Sequence, residues 1–483
     1  MTTESVHFPP RIYLHRLSNL FRRDYQQAWR CARRIVAGRE QDVGQHLNYK
    51  LWRYLKYCKQ YSAFWQDRWP SEWEHFSPDE APVVLEALPA LTKEELREHA
   101  EALRIRPAQR RPDDGFPPIR NQSTMFSGGS TGVPTAVWQD RRWKNINRAM
   151  VDFAYRQTGL EPGTPTFYLW GSNNELSELK ASLSKRLSTF LRGLIVLPAF
   201  SMSEDRMDEF LATINRRREV DSALCFVTAL DTLTDYIART GQQGRRLRRV
   251  IAGGGTLYPE LRQRVLETLA HEVFDMYGSR DMGIMAMETR EHNGLGVFQW
   301  HNYLEVLDDN LRRCEPGRSG RVFATALENY STTLIRMDMG DMAVVGSPAD
   351  ANWHMMVLRR LEGRSAEHLV SPDGARIEPA AVIHLIGVLI RPEWLRRFQV
   401  IQRQMDGFEV KVETWGPVSP DKLQYFSAHV KQAMSKLCHC DVSVDLIPVE
   451  QITPSRSGKY SYCVSMVAPS GGTKLKSLAG DRS

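Results

Sequence analysis

From Thr166 the chain alternates short apolar runs with amphipathic stretches. TFYLWG from Thr166, LIVLPAF from Leu194, ALCFVTAL from Ala223, RRVIAGGG from Arg248 and VFDMYGS from Val273 read as strand-bearing. Between them, ELSELKASLSKRLSTFL, DEFLATINRRR and PELRQRVLETLA place apolar residues at helical spacing. Strands separated by helices of this length build βαβ units, so the predicted fold class is α/β, a large multi-layer domain around a parallel sheet. Past Glu362 the pattern changes. FQVIQ and FEVKVE meet across the turn pair Asp406-Gly407, Ser419-Pro420 opens a helix to Leu437, and DVSVDLIPV adds a strand. The expected organisation is an arm over 1–44, a large domain over 45–361 and a small, mobile α+β domain over 362–483. Within the large domain, Leu51 to Trp65 reads as an aromatic-rich helix. Thr92 with Glu95 forms a capping box ahead of another, and 106–121 is a connecting loop.

Charge changes the picture only at the arm. Residues 11–40 hold eight Arg against two acids, a local +6 within a chain total of +7 (64 − 57) over 483 residues. The remainder is nearly balanced, so no nucleic-acid groove is expected. Leu14, Leu17, Phe21, Ala28, Ala32 and Ile35 recur at mostly helical spacing, which gives one apolar face and one Arg-rich face. Such a helix either packs on its own domain or lies on a partner or an anionic membrane surface as a peripheral contact. No run of 18 mainly apolar residues is present, and MTTESVHFPP lacks the basic start and apolar stretch of a secretory signal, so a cytoplasmic location is expected. Seven scattered cysteines read as reduced thiols.

The stretch from Phe126 to Thr135 is the richest in chemistry. Gly128, Gly129 and Gly132 let backbone amides approach an anion, and Ser127, Ser130, Thr131 and Thr135 add hydroxyl donors, as a phosphate-cradling loop requires. No Gly-Lys-Ser/Thr closes it, so it is not a Walker A loop. Gly128 to Gly132 also matches the G-x-S-x-G nucleophile elbow of hydrolases, with Ser130 as nucleophile. That reading needs a strand before the turn and a helix after it. Cys438-His439-Cys440 lacks a second ligand pair for zinc.

Taken with later motifs, the loop resembles a known pattern. Ser127 to Thr135, Tyr277-Gly-Ser-Arg-Asp281, Leu334-Ile-Arg-Met-Asp-Met-Gly-Asp341, Gly363-Arg-Ser-Ala-Glu367 and Ser457-Gly-Lys459 occur in the order seen in adenylate-forming acyl ligases. Over residues 45–465 the chain is similar to the phenylacetate–CoA ligase branch, especially its CapK-like members of capsular-polysaccharide biosynthesis. LPALTKEELR, Gly253-Gly-Gly255 and Val370-Ser-Pro-Asp-Gly share in the likeness. The resemblance implies that a small-molecule carboxylic acid attacks ATP to form an acyl-adenylate, and that the thiol of coenzyme A or of a carrier protein then displaces AMP.

It also implies roles. The 127–135 loop would hold the β- and γ-phosphates, with Thr131 at the reacting end. Gly253 and Gly254 would lie beside the base. Tyr277, followed by Gly278 and Ser279, would rest against adenine, and Asp281 would hold Mg²⁺. Asp341 would accept the ribose hydroxyls, Arg364 would contact ribose or phosphate, and Lys459 would place a cation where negative charge develops. Three positions depart from the pattern. Arg280-Asp281 stands where Ser or Thr then Glu is usual, leaving Arg280 to serve the phosphates. Ala366, followed by Glu367, occupies the usual hinge aspartate, and Met337-Asp338 replaces Tyr-Arg. These departures keep open a second implication, a catalytically weakened nucleotide-binding assembly protein.

Overall fold

A computed structural model describes residues 10–38, 43–111, 113–127, 135–170, 183–197, 203–242, 244–348, 353–372, 376–452 and 460–467. Its main feature is an eleven-stranded sheet ordered β4-β3-β5-β6-β7-β8-β9-β13-β12-β11-β10. The strands are β3 (Thr166–Leu169), β4 (Leu194–Leu197), β5 (Ser222–Phe226), β6 (Leu247–Gly253), β7 (Ala270–Ser279), β8 (Gly283–Glu288), β9 (Leu295–Val297), β10 (Tyr303–Leu307), β11 (Ser319–Thr325), β12 (Met337–Gly346) and β13 (Val357–Arg364). From β4 to β7 all pairs are parallel, and from β7 to β10 all are antiparallel.

The parallel half shows why three layers form. Alternate residues of a strand face opposite sides. Ala223 and Cys225 of β5, with Val250 and Ala252 of β6, join one core under helices Glu204–Arg216, Val227–Thr240 and Pro259–Thr268. Leu224 and Ile251 join another, beneath helix α5 (Arg141–Gln157) and the arm. The antiparallel half buries Leu304, Val322, Ala324 and Ala343 against the aromatic helix Val43–Tyr61. Thr92 caps helix α4 (Lys93–Glu98) through the expected box, its Oγ1 accepting from Glu95 N at 3.1 Å.

The arm corrects one expectation. It is two helices, α1 (Pro10–Leu20) and α2 (Arg23–Val36), separated by a turn at Phe21-Arg22 that breaks the single apolar face. Ala32 and Ile35 of α2 pack on α5, whereas Leu14, Leu17 and Phe21 are 42%, 57% and 85% exposed.

Past Arg364 the chain enters a four-stranded sheet ordered β18-β17-β16-β19. β16 (Leu395–Gln404) and β17 (Gly407–Thr414) form the hairpin expected at Asp406-Gly407. β18 (Ser443–Val449) and β19 (Cys463–Ser465) pair in parallel with them. Helix Pro420–Cys438 buries Phe426, Val430 and Met434 on this sheet, in a core whose fully buried members all lie between 369 and 463.

Candidate active site

The carboxyl ends of β5, β6 and β7 open on the seam between the two sheets, where open parallel sheets bind ligands. The turn leaving β6 is tight. Gly254 has φ +77°, and a Cβ there would come within 2.3 Å of the Phe226 ring at the end of β5. Only glycine brings the backbone so close.

Tyr277, near the end of β7, is buried, and its hydroxyl donates to Asp341 Oδ2 at 2.8 Å. Asp341 of β12 is in register with Arg364 of β13, whose Nε lies 3.3 Å from Asp341 Oδ1. Burial, reinforced by Asp341, pushes the Tyr277 phenol well above its usual range, so it stays an O–H donor. Three distant motifs thus meet at one point. They form the floor of a cavity of about 170 Å³, with Gly254, Gly255 and Gly278 on the same wall. Gly253 and Ser279 lie just outside it.

Beyond Tyr277, the Ser279 Oγ accepts from Met282 N at 3.1 Å and turns the chain. Asp281, in that turn, is 5% exposed, and its Oδ1 is buried without a hydrogen-bond partner. Burial pushes its carboxyl up to about 6 against the pull of Lys93, Arg280 and Arg364. Arg280 accepts from Gln139 Nε2 at 2.8 Å through its carbonyl, and its guanidinium lies 3.4 Å from the Phe126 carbonyl. That places it at the foot of the hairpin β1 (Ser123–Ser127) and β2 (Thr135–Gln139), which pairs Ser127 with Thr135 across the glycine-rich loop. Thr135 is 4% exposed. Gly128, Gly129, Ser130, Thr131, Gly132 and Lys459, with the side chains of Ser127 and Ala366, lie outside the described residues. The loop leads into strand β2, whereas a nucleophile elbow leads into a helix, so the hydrolase reading of Ser130 loses its structural context.

Sequence reasoning missed Lys93. Its Nζ donates to the Met339 carbonyl at 2.7 Å, and it faces Asp341, Asp338, Asp281 and Arg364. Burial, then Arg364, lowers its pKa while the three carboxylates pull it up. A signal was present, since a lysine directly after the capping Thr92 sits at a helix N-terminus, where the helix dipole disfavours a cation. The departure at Asp338 is structural. It accepts from Gly340 N at 2.8 Å and pairs with Arg321.

The small sheet covers the cavity with Arg397, Phe398, Tyr460 and Tyr462. The seam is polar. Arg391 lies 3.0 Å from Asp235, Arg397 donates to Thr232 Oγ1 at 2.7 Å, and Tyr462 donates to Asp231 Oδ2 at 3.0 Å. At the chain crossing, Glu367 accepts from Arg364 N at 3.3 Å and from Ser461 Oγ at 2.7 Å. Gly363 has φ +92°, with a Cβ position 2.8 Å from the Tyr258 hydroxyl.

For a divalent cation the donor set is sparse. Among the described residues no three His, Cys, Asp or Glu side chains cluster. One orphaned carboxylate oxygen on Asp281 still fits Mg²⁺, which commonly takes one or two carboxylates and completes its shell with water and substrate phosphates.

The family model for the CapK C-terminal domain matches residues 369–466. No curated protein matches the chain by sequence. Among solved structures, 2-hydroxyisobutyryl-CoA ligase in the postadenylation state with R3-HIB-AMP matches with a TM-score of 0.65 at 17% identity. That match covers 87% of this chain and 88% of the other. The same ligase with 2-HIB-AMP and CoA in the thioesterification state scores 0.54 at 17% identity, over 88% and 90%. ATP-bound MatB from Rhodopseudomonas palustris scores 0.50 at 13% identity, over 70% and 66%. The chain thus has the α/β fold of adenylate-forming enzymes, and its residues 369–466 match the CapK C-terminal domain, in agreement with the CapK-like resemblance of its motifs.

Proposed function

We propose that this chain activates a small-molecule carboxylic acid with ATP and passes the acyl group to a thiol, of coenzyme A or of a carrier protein. In the first step a carboxylate oxygen bonds to the α-phosphorus as the bond to pyrophosphate breaks. In the second, a thiolate bonds to the acyl carbon and AMP leaves. The reading rests on the meeting of Tyr277, Asp341 and Arg364 beside the Gly253 to Gly255 turn. Each carboxylate oxygen keeps a lone pair after its present bond, so Asp341, already oriented from both sides, can still accept two ribose hydroxyls. Tyr277 and the glycine turn offer a flat, close wall for a base. Arg364 and Arg280, both close enough to Asp281 to act on its charge, supply guanidinium groups for the phosphates. Bound with the triphosphate and held by Asp281, Mg²⁺ would neutralise phosphate charge and polarise the α-phosphoryl group. Lys459 precedes Tyr460, which lines the cavity, and in this reading it would bring a cation to the reacting oxygens.

The test is ATP–pyrophosphate exchange by the full chain over a panel of aryl, fatty and sugar-linked acids. Acid-dependent exchange is expected. Asp341→Ala should lower kcat/KM for ATP about a hundredfold, because it removes the acceptor and strands two polar partners. ATP binding with no exchange across the panel would overturn the ligase reading in favour of a nucleotide-binding assembly protein.

A further inference from the structure

Helix α1 buries little of its apolar surface. Its inward face carries Ile12 beside His15 and Asn19, at 2%, 2% and 1% exposure, with His15 Nε2 held 2.8 Å from Asp152 Oδ2. Its outward face carries Tyr13, Leu14, Leu17 and Leu20, continued by Phe21, at 42% to 85% exposure. Helix α6 (Leu183–Leu191) also exposes its apolar residues, with Leu183, Leu187 and Phe190 at 80%, 58% and 47%. The two helices are neighbours. His15 Nδ1 is 3.2 Å from the Leu191 carbonyl, and the Arg11 guanidinium is 4.7 Å from the centre of the Phe190 ring. Together with Phe21 they hold eight of the seventeen large apolar side chains exposed among the described residues. Such concentration on one patch marks an interaction surface, because isolated exposed apolar residues are scattered.

Charge decides what the patch meets. Residues 10–38 contain seven Arg and one acid, Asp24. Arg23, Arg30, Arg33 and Arg34 line the solvent side of α2, immediately after the patch, and Arg186 is exposed on α6. A second copy docking through the same face would bring two such arms together, and like charges oppose that. An anionic bilayer offers acyl chains to the leucines and phosphates to the guanidiniums. No described helix is long and apolar enough to cross a membrane, and at 11 and 9 residues α1 and α6 extend only about 16 and 14 Å. They can lie in the interface.

We propose that α1 and α6 form a foot by which the protein rests on anionic membrane surfaces. This inference is independent of the adenylation reading. The test is flotation of the full chain with phosphatidylcholine vesicles, with and without about 30% phosphatidylglycerol, at low and high salt. Several-fold greater recovery on anionic vesicles, reduced by salt, is expected. Leu17→Glu combined with Phe21→Glu should lower recovery about tenfold. Arg33→Gln with Arg34→Gln should remove most of the anionic preference. All four sites are exposed, and unchanged thermal melts and exchange rates will show that the variants fold. Equal recovery of wild type and Leu17→Glu/Phe21→Glu would overturn the proposal. So would a wild-type dimer in light scattering that the same variant dissolves, since the face would then join two copies.

Discussion

The interior of the large domain and the seam above the cavity use the same residue chemistry at different depths. In the antiparallel half of the large sheet, away from the cavity lining, Arg336 pairs with Glu305 at 3.2 Å with side-chain exposures of 2% and 0%, and it also donates to the carbonyls of Glu86 and Leu88. At the seam, Arg391 and Asp235 lie 3.0 Å apart at 33% and 26%, and His384 and Glu260 3.2 Å apart at 54% and 21%. A buried pair cannot open without leaving a charge in a low dielectric, whereas a hydrated one separates at little cost. The difference separates an interior fixed by buried charge pairing from a seam whose packing of Tyr258 on Tyr462 is supplemented by hydrated polar contacts.

The largest test asks whether the cover supplies chemistry. Lys459→Ala should cut ATP–pyrophosphate exchange by about 10² to 10³ while ATP affinity, set by the floor, stays within about threefold. Unchanged exchange would remove the role given to that lysine. Next, Glu305→Gln keeps the shape but strands Arg336, and should cost about 3–5 kcal/mol in urea unfolding. A loss below about 1 kcal/mol would erase the contrast between interior and seam.

Asp281 gives a signed pH effect. Burial raises its pKa from 3.8 to about 6. Both folded and unfolded forms are protonated below pH 4, so no penalty exists there. Between pH 4 and 6 the unfolded chain ionises its hydrated carboxyl while the buried one stays protonated, so the penalty grows; above 6 the folded state carries the buried charge and the penalty is complete. Asp281→Asn should therefore stabilise the protein by up to about 3 kcal/mol at pH 8 and by almost nothing at pH 4, while impairing exchange. Thermal melts at the two pH values decide it, and an equal shift at both would refute the burial argument. Smallest is Arg391→Ala, expected to cost under about 1 kcal/mol in urea yet to widen the particle in small-angle scattering as the seam loosens. A large stability loss without widening would mean the seam is packed as firmly as the interior.

Local rules carried far. The βαβ alternation, the Thr92–Glu95 box and the Asp406-Gly407 hairpin depend on residues within a few positions of each other, and each has the expected form. The ordered motifs marked Tyr277, Asp341 and Arg364 before any contact among them was visible. What the string of residues did not disclose is long-range. β13 inserts between β9 and β12, and only that placement sets Arg364 opposite Asp341. Lys93 looked like part of a helix start until the fold carried it to the Met339 carbonyl, 246 residues away. The arm looked like one amphipathic helix, and the chain turn at Phe21 sent half its apolar face outward. Periodicity determines which element forms, because a helix or strand is read from its own side chains. Which face is buried, and which charges share a cavity, is decided only when distant elements pack, since desolvation depends on neighbours that sequence spacing does not specify.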